Sequence, residues 1–67
     1  MPHTFDFPAP LLALESAAWE EIQAGRLAVE TARAVQDGVT AFAAEHGHDR
    51  HEVEMGLKRV VRHGAAA

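Results

Sequence analysis

Five side chains able to bind a metal or move a proton fall within one short run: His46, His48, Asp49, His51 and Glu52. Neutral imidazoles and carboxylates suit zinc, nickel or copper. A compact helical site of the familiar kind needs histidines four residues apart on one helix with a glutamate beside them. Here the histidines lie two, three and five residues apart, at a helix end, in a turn and in the first turn of the next helix. His46, His48 and His51 are therefore expected to be turn and capping residues. A metal site and a pH-responsive surface are the less favoured uses, and no cofactor is expected.

Nucleophilic catalysis has little to work with. The chain has no cysteine and no tyrosine, and its only hydroxyls are Thr4, Ser16, Thr31 and Thr40. The last three fall within or at the edges of expected helices. No glycine-rich loop exists to cradle a phosphate. These absences point away from an enzyme.

The remaining chemistry is that of a contact surface. Lys58, Arg59 and Arg62 gather near the end of the last expected helix, where positive charge complements the helix dipole. Met55 falls on the same side of the helical wheel, opposite an apolar stripe of Val53, Leu57, Val60 and Val61. An exposed flexible apolar group ringed by charge is a plausible contact point. Phe5 and Phe7 alternate around Asp6, so an extended segment puts both rings on one side. They can cover an open end of the core or clip onto another subunit or target. Phe5, Phe7, Met55, Lys58, Arg59 and Arg62 are thus the candidate interaction residues.

Stepping 100° per residue places these groups on three helices. Pro2, Pro8 and Pro10 keep residues 1–9 out of a helix and make them an N-terminal arm. The first helix is expected over about Pro10 to Ala24, with Gly25 as its left-handed stop. Leu11, Leu12, Leu14, Ala18, Trp19 and Ile22 share its apolar face. Glu15 falls within that face and is expected at its rim beside an Arg or His, with a buried functional carboxylate as the alternative, while Glu20 and Glu21 read as solvated charges. Gly25-Arg26-Leu27 makes a tight antiparallel connection. The second helix covers about Val29 to Glu45, with Ala28 at an N-cap position that Ser, Thr, Asp or Asn would fill better. Ala28, Ala32, Val35, Val39, Phe42, Ala43 and His46 line its inner face. Gly47 ends it. Asp49 caps the third helix, with Glu52 three residues on as in a capping box, and Gly64 stops it before an Ala65–Ala67 tail expected to fray. Gly38 and Gly56 occupy the same offset from their stripes, so the second and third helices are expected to cross closely there.

Composition bounds what this arrangement can do. A 67-residue chain forms one domain, here 10–64, near the size where a lone core is marginal. The hydrophobic share of 48% overstates that core, because fourteen of those residues are alanines that bury little area. Burial against a partner or a second copy is expected to supply the rest. Net charge is −4, which disfavours generic affinity for phosphate backbones. Residues 1–48 carry seven acidic and two basic side chains, and residues 49–67 carry three and four. The charge is thus split along the chain. No leader peptide or membrane-length apolar run is apparent, so a cytoplasmic location and no membrane partner are expected.

The expected protein is all-α: a small three-helix bundle with an extended N-terminal arm, prone to oligomerise. Its expected role is a non-enzymatic interaction module, a regulator or adaptor that binds another protein and self-associates. The runner-up is a small DNA-binding regulator. Ala34 to Gly38-Val39-Thr40 resembles a helix-turn-helix corner, but Ala41–His46 would then be the recognition helix and lacks side chains that read bases. Nucleic acid would instead meet Lys58, Arg59 and Arg62 of the third helix. A histidine-based metal binder is the third class.

Overall fold

A computed structural model describes residues 5–63, and of His63 only the backbone. The regular structure of these residues is helical: α1 (Ala9–Gln23), α2 (Val29–His46) and α3 (Arg50–Lys58), the last running into a π-helical turn over Arg59–His63. The first four residues, the expected Gly64 stop and the Ala65–Ala67 tail lie outside the described residues.

Each boundary has a local cause. Pro8 is extended (φ −68°, ψ 148°), and its carbonyl accepts from the amides of Leu11 and Leu12, opening α1 one residue before Pro10. Gly25 closes α1 with φ +79°, which lets its own amide reach the Ile22 carbonyl and the Arg26 amide reach Glu21. This paired closure needs a left-handed residue that glycine supplies without steric cost. Gly47, at φ +67°, ends α2 in the same way. Asp49 caps α3, its Oδ2 accepting from the Glu52 amide at 3.0 Å.

α2 runs through Gly38 without interruption, so the helix-turn-helix corner proposed from Ala34 to Thr40 does not form. Gly38 is not among the glycines with positive φ. Val35, Val39, Phe42 and Ala43 are all buried and keep the apolar spacing going across it.

The core joins Phe5, Phe7, Leu11, Ala18, Val35, Val39, Phe42, Ala43, Val53 and Leu57, with Leu12, Leu14 and Val61 partly buried against it. The two glycines expected at a close crossing of α2 and α3 serve other neighbours. A methyl group at Gly38 would meet Leu11 Cδ1 at 2.7 Å, and one at Gly56 would meet Phe5 Cδ2 at 2.8 Å. Their missing side chains make room for α1 and for the N-terminal segment.

The π-helical turn corrects the expected stripe of α3. Val53 and Leu57 are buried as expected, but Val60 is 43% exposed while Val61 turns inward. A π turn closes i→i+5 rather than i→i+4, so each residue advances less around the axis. The stripe therefore continues through Val61, and Arg62 swings from the outer face toward α1.

Candidate functional site

Met55, Lys58, Arg59 and Arg62 line one groove of about 230 Å³ on the outer face of α3 and its last turn. Met55 is 44% exposed. Arg59 is exposed and has no carboxylate partner among the described residues. The four expected positions are thus brought together, though they are not equivalent.

Lys58 is tied down by Glu54, one turn earlier, at 3.3 Å. Glu54 is also 3.5 Å from Arg50. Burial alone would raise the Glu54 carboxyl. A hydrogen bond and the charge of Lys58, a hydrogen bond with Gln36 and the charge of Arg50 outweigh burial and hold it below its ordinary 4.5. Arg50 in turn reaches α2, donating to Thr40 Oγ1 at 3.0 Å and to Gln36 Oε1. A polar network between α2 and α3 therefore reaches the groove through one of its lining residues, Lys58.

Arg62 faces inward at one end. Its Nε donates to Glu15 Oε2 at 3.2 Å, and its guanidinium lies 4.6 Å from the centroid of the Trp19 ring. Glu15 is 2% exposed, so it sits inside the bundle and not at the rim. The sequence pairs it with some cation; only the π turn makes that cation Arg62.

Phe5 and Phe7 occupy a different place from the groove. Both are buried, with the Phe5 ring edge-on to Phe42 at 6.2 Å and Phe7 tilted against Phe42 at 5.2 Å. An aromatic clip needs exposed rings, and these close the end of the core over Gly56. They leave the set of surface candidates for this reason.

The histidines extend that aromatic cluster. His46 lies 4.4 Å from Phe42, His48 lies 4.8 Å from Phe5, and the two imidazoles stack at 6.1 Å. His51 is exposed on α3. Among the described residues, no group of three or more histidines and carboxylates is placed to hold a metal ion. Ring packing accounts for His46 and His48.

Glu21 is the contact that sequence patterns miss. It accepts from the Ala28 amide at 2.8 Å and from Thr31 Oγ1 at 2.9 Å, fastening the start of α2 to α1. Wheel position made it a solvated charge, because nothing local shows that the next helix starts within reach. Beside it, Ala17, Glu20, Glu21, Ala24, Arg26 and Ala28 line a second, more open groove of about 480 Å³ at the α1–α2 corner. No helix of the described residues is long and apolar enough to cross a membrane. Compared with known proteins, the chain matches no family model, no curated sequence and no solved structure.

Proposed function

We propose that this protein is a non-enzymatic interaction module, a small cytoplasmic regulator or adaptor whose working surface is the α3 groove. One observation carries the reading: Met55, Lys58, Arg59 and Arg62 line a single groove that combines an exposed apolar side chain with positive charge. Interfaces favour flexible apolar anchors and arginine at their centres. The network that ends on Lys58 holds one groove side chain in place, which lowers the ordering cost of binding.

Duplex DNA is the competing ligand for the same cations. Two of the three are already countered, Lys58 by Glu54 and Arg62 by Glu15. That leaves Arg59 as the fully presented charge, too little for the several phosphate contacts that non-specific DNA binding needs. An acidic protein surface fits better.

The test compares wild type with Met55→Ala and Arg59→Glu in capture from the producing cell, alongside a mobility shift on mixed duplex DNA. A protein retained by wild type and lost by both variants supports the module. A salt-sensitive DNA shift abolished by Arg59→Glu contradicts it.

A further inference from the structure

We propose that the α3 groove docks on the acidic α1–α2 corner of a second copy of this chain. The proposal rests on the α3 face being a protein-docking surface. Met55, Lys58 and Arg59 follow i, i+3 and i+4 across the end of α3, the spacing with which a helix offers anchors to a partner, while Arg62 closes the inner end of the groove on Glu15 and Trp19. The corner groove complements the α3 face in charge, with Glu20 and Glu21 lining it beside Ala17, Ala24 and Ala28.

Charge selects the pairing. α1 carries Glu15, Glu20 and Glu21 and no lysine or arginine. Glu15 is spent on Arg62, and Glu21 holds Ala28 and Thr31. Glu20 is exposed, and so is Arg59. Arg26 shares the corner groove, so attraction centres on Glu20 and not on the whole rim. The central contact is therefore Arg59 of one copy with Glu20 of the next. The two surfaces share no residue, so every copy carries one of each. Used reciprocally, the two contacts close a symmetric pair; used head to tail, they form rings or growing chains. Being exposed, the charges are screened over about 8 Å at physiological salt, so added salt weakens the assembly.

Sedimentation of the full chain across a concentration range tests this, using wild type, Arg59→Glu, Glu20→Lys and an equimolar mixture of the two variants. Both sites are exposed, and circular dichroism checks that each variant keeps its helices. Wild type is expected to associate with rising concentration, and less so in high salt. Each variant alone is expected to associate about tenfold more weakly or worse, because like charges then face each other. The mixture is expected to regain association, since the intact Arg59 of one variant meets the intact Glu20 of the other. A wild type that stays monomeric overturns the self-docking, as does association that neither variant changes. If wild type stays monomeric while Arg59→Glu still abolishes capture of another protein, only the second copy is lost as partner. If Arg59→Glu alters neither behaviour, the docking face falls with it.

Discussion

Arg62 Nε lies 3.2 Å from Glu15 Oε2, a contact spanning 47 residues that pins the last described turn to α1. The carboxylate is almost wholly enclosed, while the arginine keeps about a quarter of its side chain in solvent. The pair is lopsided: the acid needs the base more than the base needs the acid. Removing one partner of a buried pair leaves an uncompensated charge, whereas removing both does not.

Arg62→Ala is accordingly expected to cost about 3 kcal/mol, including the lost packing on Trp19. Arg62→Ala combined with Glu15→Gln should cost clearly less than the sum of the single changes. Urea unfolding of the four proteins measures both. A loss below about 0.5 kcal/mol for Arg62→Ala, typical of an exposed surface pair, would show that Glu15 does not depend on it.

Gly56→Ala sets two effects against each other. Alanine gains about 1 kcal/mol of helix propensity, but its methyl would lie 2.8 Å and 3.0 Å from two Phe5 ring carbons. Phe5 is boxed in by Phe7, Phe42 and His48, so overpacking of about 1–3 kcal/mol should win. In a Phe5→Ala background the ring is gone and the same change should stabilise. Thermal melts of the two pairs check the reversal of sign; stabilisation in both backgrounds would mean that the segment moves aside freely.

Ala28→Ser is expected to stabilise by about 1 kcal/mol. Ala28 is the N-cap of α2, with no side-chain cap, and its own amide is taken by Glu21. A serine hydroxyl would serve the free amides of the first turn without disturbing that contact. An unchanged melting temperature would show the cap to be already satisfied.

Glu54 makes stability depend on acid. Its carboxyl is held below its ordinary 4.5 in the folded chain. The folded state then binds that proton less readily than the unfolded one. The contribution is complete above the ordinary value and is lost as pH falls through the lowered one. Glu54→Gln should flatten the decline of stability below about pH 4.5. Identical slopes for variant and wild type would remove Lys58 and Arg50 as the cause.

Helix ends were legible because their causes are local. Gly25, Gly47 and Asp49 act within a few residues of themselves and sit where their chemistry requires, while the first helix, expected from Pro10, starts one residue earlier behind Pro8. The centre of the α2 stripe, Val35, Val39, Phe42 and Ala43, followed from spacing alone, whereas Ala28 and His46 at its expected ends are exposed. What stayed hidden depends on neighbours remote in sequence. Glu15 looked like a rim charge until the π turn brought Arg62 across it, and no residue pattern announces that turn. Phe5 and Phe7 could cap a core, the favoured reading, or face a partner; both rings are buried, in the space left by Gly56. Of the candidate surface, Met55 and Arg59 were placed correctly by the wheel, whereas Lys58 and Arg62 turn out to share themselves with Glu54 and Glu15.

The most direct test of the α3 face is an amide chemical-shift titration of labelled protein with unlabelled protein. Docking of one copy on another predicts concentration-dependent shifts clustered at Met55, Lys58, Arg59 and Arg62 and, separately, at Ala17, Glu20, Ala24 and Ala28. Shifts confined to other surfaces, or none at all up to millimolar protein, would contradict it.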